Sequence, residues 1–301
     1  MALRPLERYA LMSVAAALAT IALKTGAWWV TGSVGLLSDA LESLINLAAA
    51  LLALGMLRLA AAPPDAEHPY GRFKAEYVAS GVEGTLIMLA AASIAWEAVP
   101  RLAAPAPIEA PLLGVALSLA ATGINLGAAL LLVKAGRHHR SIALEADGQH
   151  LMTDVWTSAG VVAGVALVAA TGWHLLDPLI ALAVALHIVW TGAVLMRRSF
   201  RGLLDQALDA PEIETIQKIF AEYRHRHGVD FHALRTRQAG SRRFISFHLL
   251  VPDDWTVARA HELSEEIEER IRELLDKAIF LTHIEPISQP SSYDDETLER
   301  P

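Results

Sequence analysis

Six apolar stretches run through the first two thirds of the chain, at 9–30, 34–57, 77–99, 112–133, 143–171 and 176–196. About 20 apolar residues is what an α-helix needs to cross the hydrocarbon of a bilayer, where a helix satisfies its own backbone polar groups. The expected fold of this part is an all-α membrane domain of six transmembrane helices, with short connections that favour antiparallel neighbours. The basic start at Arg4 and Arg8 imitates a secretory signal, but the apolar run after it is too long and five more follow, so it reads as an uncleaved first span. Arg4 and Arg8, then Arg58, Arg72 and Lys74, then Lys134, Arg137 and Arg140, then Arg197, Arg198 and Arg201 fall on one side, and the intervening loops offer only Arg101. By the positive-inside bias both termini are expected in the cytoplasm, with the chain multi-pass in the cell (inner) membrane.

Charge separates this part from the rest. Through residue 203 there are 13 Lys or Arg and 13 Asp or Glu; beyond it there are 12 against 20, which accounts for the net charge of -8. An acidic soluble part argues against nucleic acid as a partner, because a phosphate backbone needs a basic face. The chain has no cysteine, which excludes disulfides, thiolate nucleophiles and thiolate metal sites. Any metal must be held by His, carboxylate or amide groups.

The tail reads as a small α+β unit. A helix over 211–225 opens on Pro211 with Glu212 and Glu214 in its first turn, strands at 230–238 and 243–251 flank the turn 238–241, an acidic amphipathic helix covers 258–275, and a last strand covers 278–284. The expected domains are therefore 1–203, the six-helix transmembrane part; 204–286, a cytoplasmic α+β domain; and 287–301, a disordered end rich in Ser, Asp, Glu and Pro.

Ionisable side chains at membrane depth cost about 2.5 to 3.5 kcal/mol each even on lenient scales, so they need a partner or a purpose. Two spans carry polar groups at the same spacing: Asp39, Glu42 and Asn46 in the second, Asp147, His150 and Asp154 in the fifth, each at i, i+3 and i+7. That spacing is one helical face. If the faces meet, Glu42, Asn46, His150 and Asp154 supply three oxygens and a nitrogen, a set suited to a four-coordinate divalent first-row metal. Two carboxylates would neutralise the ion, and the empty site should take up protons that the metal then expels, so metal/proton exchange follows from the site's electrostatics. Asp39 and Asp147, a turn earlier, are expected to orient ligands or line the pathway. The plainer reading of either triplet is interhelical hydrogen bonding.

Four stretches carry a family resemblance: Gly32-Ser-Val-Gly-Leu-Leu-Ser-Asp-Ala-Leu-Glu-Ser, the loop from Pro64 to Glu76, Glu145-Ala-Asp-Gly-Gln-His-Leu-Met-Thr-Asp154, and Asp177-Pro-Leu-Ile-Ala. On these the chain resembles the cation diffusion facilitator family of divalent metal transporters from its first span to about Pro286. The resemblance implies a four-residue site moving zinc, iron, manganese, cobalt, nickel or cadmium (Zn2+, Fe2+, Mn2+, Co2+, Ni2+ or Cd2+) out of the cytoplasm against protons, a role that falls on Glu42, Asn46, His150 and Asp154. The fifth-span pair matches the family's His-x-x-x-Asp; the second-span pair departs from it, because the family has His or Asp followed by Asp. The resemblance further implies a loop site from which Asp65 and His68 are present but whose third position is Arg72, a cation that cannot coordinate metal. It also implies a homodimer with an inter-subunit charge pair of Lys74 and Asp205, and a metallochaperone-like (ferredoxin-like) cytoplasmic domain. In that domain His232, His248, His261, His283 and Glu285 would be ligands of regulatory metal across the dimer interface.

The function expected is a metal/proton antiporter, zinc first because His with carboxylate suits it, iron(II) next. The alternative is a membrane metal sensor or transport-inactive dimer partner, favoured by Glu42 and Asn46. A third reading, an intramembrane enzyme built on Asp39 and Asp147, has no accompanying nucleophile or cofactor motif. No catalytic residue is assigned.

Overall fold

The computed structural model describes residues 4–31, 34–103, 112–173 and 175–294, and contacts divide the chain into two compact units, Met1–Phe200 and Arg201–Pro301. The first is built of α1 (Arg4–Thr31), α2 (Val34–Ala60), α3 (Ala75–Ala103), α4 (Leu112–His139), α5 (Ile142–Thr171) and α6 (Leu176–Leu203), whose last residues pass into the second unit. Helices of 27 to 30 residues are about 40 to 45 Å long, longer than the roughly 30 Å hydrocarbon core. Among the described residues, Leu6–Gly26, Ala75–Ala103, Leu119–His139 and Pro178–Leu203 are long and apolar enough to cross a membrane. α2 and α5 are the helices that carry the polar triplets.

Many small side chains of this unit are fully buried, and many large apolar ones are exposed. Ala10, Ala17, Ala50, Ala53, Ala79, Ala129 and Ala143 are buried, while Trp96, Leu89, Leu186 and Trp190 face outward. Small side chains let helix backbones approach, and large apolar ones are at home against lipid. The α4–α5 contact is the tightest case. A methyl on Gly136 would lie 2.6 Å from the backbone nitrogen of Glu145, and one on Gly148 would lie 2.9 Å from that of Val133. The two helices join through Arg140, in the left-handed region at φ 56°, and Ser141, whose hydroxyl accepts from the Leu144 amide and donates to Glu76.

The second unit has α7 (Ala210–His227), β1 (Asp230–Ala239), β2 (Arg242–Val251), α8 (Val257–Leu274), β3 (Ala278–Pro286) and a 3-10 turn at Pro290–Tyr293. α7 opens with Pro211 in its first turn and stops at Gly228, whose φ of 67° only glycine adopts cheaply and whose amide closes on the Arg224 carbonyl. β1 and β2 pair antiparallel; β3 adds parallel to β2 after α8 has crossed over, giving the order β1-β2-β3. Alternation decides the faces. Ile245, Phe247, Leu249 and Val251 of β2 pack on Ile216, Phe220, Ile267 and Ile271, leaving His248 on the opposite face.

Arg243 enters this layer as a buried charge. Its guanidinium donates through Nε and Nη2 to Glu212 at 3.0 and 2.9 Å and through Nη1 to Asp276, joining α7 to the loop before β3. Arg243→Met should destabilise the unit by about 3–5 kcal/mol, because it removes both guanidinium bonds that the buried Glu212 carboxylate accepts. Hydrogen exchange of the full chain in detergent reads this as lost amide protection over residues 230–286. Unchanged protection would show the clamp to be dispensable.

Within the end expected to be disordered from 287, the structure has a 3-10 turn at Pro290–Tyr293 and side-chain bonds over residues 287–294. Ser292 is buried and donates to the Pro286 carbonyl, Tyr293 donates to the Ile287 carbonyl, and Ser288 bonds Asp253. These local bonds replace the apolar burial that the composition lacks. Residues 295–301 lie outside those described.

Candidate metal sites in the two units

In the helical unit the α2 and α5 faces meet. Asn46 Nδ2 donates to Asp154 Oδ2 at 2.5 Å, Asn46 Oδ1 lies 2.8 Å from His150 Nε2, and Asn125 of α4 donates to the same Asp154 oxygen at 3.0 Å. All four side chains are buried, as is Asp147. The side chains of Asp39 and Glu42 lie outside those described; Glu42 stands one helical turn before Asn46 on α2, which puts it on the same face. Two residues of this centre went unread in the sequence. Asn125 carries no charge to mark it. Glu83 of α3 is fully buried with its Oε2 3.8 Å from His150 Nδ1, and a count of acids inside each span would have exposed it.

In the second unit, strand register assembles the histidines. His232 of β1 pairs with His248 of β2, which pairs with His283 of β3, so the three form a row across the sheet on the face away from the core. A bulge follows His232, with Ala233 in the left-handed region at φ 49°. Glu285 is two residues beyond His283 and so shares its face. Its Oε2 lies 3.0 Å from His232 Nε2 and 2.9 Å from His248 Nδ1, the two nitrogens are 3.0 Å apart, and its Oε1 is 3.4 Å from His283 Nε2. Three donor atoms about 3 Å from one another are spaced as neighbouring ligands of an ion with bonds of about 2.0–2.2 Å. Among the described residues this is a group of three that can hold a metal. His261 is not brought into it within one chain: it is exposed on α8, and α8 packs on the other face of the sheet.

The loop after α2 is organised by Asp65. Arg72 Nη2 donates to Asp65 Oδ2 at 2.5 Å, the His68 amide donates to Oδ1 at 2.7 Å, and the His68 ring stands 3.3 Å from Oδ1. The Arg72 guanidinium holds the Asp65 carboxyl below its usual range, helped by that amide. The cation already satisfies the oxygen a metal would use. Asp205, at φ 57°, accepts from Arg237 at 3.2 Å within its own unit. Lys74 immediately precedes α3.

A helical bundle with large apolar side chains outside and acids, amides and an imidazole buried inside, in one chain with a histidine-bearing soluble unit, is the architecture of a membrane cation transporter. Residues 10–204 match the model of the cation efflux transmembrane domain, and residues 208–287 match that of the cation efflux protein cytoplasmic domain. Among similar proteins, an uncharacterized transporter of Synechocystis sp. is 53% identical, over 95% of this chain and 92% of its own length. The cation-efflux pump FieF of Cronobacter sakazakii is 32% identical over 95% and 94%, and that of Klebsiella pneumoniae 31% over the same shares. The chain belongs to the cation diffusion facilitator family. It is an integral membrane transporter and not an enzyme.

Proposed function

We propose that the chain is a homodimeric antiporter that moves a divalent metal cation out of the cytoplasm in exchange for protons, with zinc the preferred ion and iron(II) second. The observation that carries this is the buried junction of Asn46, His150 and Asp154, with Glu42 on the same α2 face. A nitrogen with carboxylate and amide oxygens suits zinc or iron(II) better than a hard ion such as magnesium. Deprotonated ligands are required for binding, so metal entry and proton release are linked. Six spans in the inner membrane with cytoplasmic termini place the basic loops and the soluble unit on the side from which metal is taken. The two-span site would open to one side at a time by rocking of helix groups.

In the soluble unit His232, His248 and Glu285 would hold one ion, with His283 on the second Glu285 oxygen and His261 reaching a site from the other subunit. Binding there would tighten the dimer, helped by the charge pair of Lys74 and Asp205, and favour the transporting state through differential affinity. The loop site at Asp65 and His68 would be weak, because Arg72 already pairs with Asp65.

One observation favours the second reading, a metal sensor or transport-inactive partner. The amide of Asn46 ties up both His150 and Asp154, so a cation must displace those bonds to enter. Uptake into inside-out proteoliposomes under an imposed pH gradient decides between them, with interior zinc, iron(II) and manganese read by fluorescence. Uptake of one ion, lost in His150→Ala, is the expected result. No uptake of any ion, with metal binding by the soluble unit intact, would establish the sensor.

A further inference from the structure

Span 77–99 gives no periodic sign of function, yet its Glu83 is buried to 0% exposure with both carboxylate oxygens lacking a hydrogen-bond partner among the described residues. Its Oε2 stands 3.8 Å from Nδ1 of His150, a buried atom that also has no such partner. The other side of the ring defines what that nitrogen presents. Asn46 donates to Asp154 through Nδ2, so its Oδ1 accepts, and what it accepts is the Nε2 proton of His150. With the Nε2 proton given to Asn46, Nδ1 is the ring nitrogen left to take a ligand. It faces the Glu83 carboxyl group.

The separation of 3.8 Å is too long for a hydrogen bond. It is also a distance that one ion spans with two bonds of about 2.0–2.2 Å. Asp147, one turn before His150 on α5, contributes a further buried oxygen without a hydrogen-bond partner among the described residues. By contrast, Asn46 and the Oδ2 oxygen of Asp154 are already bonded to one another. Buried acids at membrane depth are costly and mark a functional site by default.

We propose that Glu83 is a direct ligand of the transported divalent cation, binding it opposite His150 Nδ1, so that α3 joins α5 in supplying ligands to the transport site. This rests on the reading of the chain as a metal transporter. It supplies an anion to a centre where position 46 offers only a neutral amide.

The test uses full-length protein. Zinc binding is titrated in an H232A/H248A chain, which silences the soluble-unit site, and uptake is measured in the otherwise natural chain. Glu83→Gln, close in shape, is expected to weaken zinc binding by more than about 100-fold and raise the uptake KM in step, beyond the roughly 10–100-fold that loss of an orienting partner brings. Glu83→Asp keeps the charge with a shorter reach and is expected to cost about 10-fold, so the question stays decidable if Glu83→Gln does not remain monodisperse. Uptake lost in His150→Ala but unchanged in the Glu83 variants overturns the assignment of Glu83 while the transporter stands. A natural chain that takes up no ion fails the transporter reading itself, and the Glu83 assignment falls with it.

Discussion

Alanine at Asp154 is expected to lower metal uptake by more than about 100-fold while leaving a folded, monodisperse protein. Asp154 Oδ2 accepts from Asn46 on α2 and Asn125 on α4, so truncation removes an anionic donor and unties three helices at one point. Interhelical hydrogen bonds in membranes average about 0.6 kcal/mol and reach about 1.7, so losing two should not dismantle a bundle held by close packing of α4 on α5. Ligand loss has no such cushion. Asp154→Asn separates the effects, because it keeps the shape and a hydrogen-bonding oxygen but removes the charge, and it should fail in uptake as well. Proteoliposome uptake above a tenth of the natural level in both variants would remove Asp154 from the transport site.

Glu285→Gln is expected to weaken zinc binding in the soluble unit by more than about 100-fold without loosening the sheet. One oxygen of Glu285 stands about 3 Å from a nitrogen of each of His232 and His248, and the other faces His283. The carboxylate is therefore the common partner of the row, and an amide in its place supplies no negative charge. β3 itself is held by its parallel ladder to β2 and by the core on the other face, neither of which uses this side chain. Titration in an Asp154→Ala background isolates the soluble-unit site. Natural affinity in Glu285→Gln would mean that the histidines bind without it.

The two membrane triplets could be read as one set because i, i+3 and i+7 is a property of a single helix, and any helix built on those residues turns them to one side. Glu83 could not be read that way. A lone acid has no period, and whether it meets His150 depends on how α3 lies against α5, which no local pattern encodes. The histidines of the tail show the same division. Alternation along β2 put His248 on the face away from the core, but alignment of His232, His248 and His283 in one row required the antiparallel register of β1, its bulge, and the parallel register of β3 set by the α8 crossover. The bonds of residues 287–294 are equally outside the reach of composition, because they join side chains to a few carbonyls and one carboxylate.

The sequence by itself determined the solvent of each part, the helices, the order of tail elements, and the residue types able to hold a metal, because hydrophobic length, periodicity and ligand chemistry are local properties. Tertiary structure alone decided which donors face one another. It leaves Asn46 satisfied by His150 and Asp154, and it sets Nδ1 of His150 opposite the buried Glu83, since the meeting of three helices is fixed by close packing of side chains along their lengths.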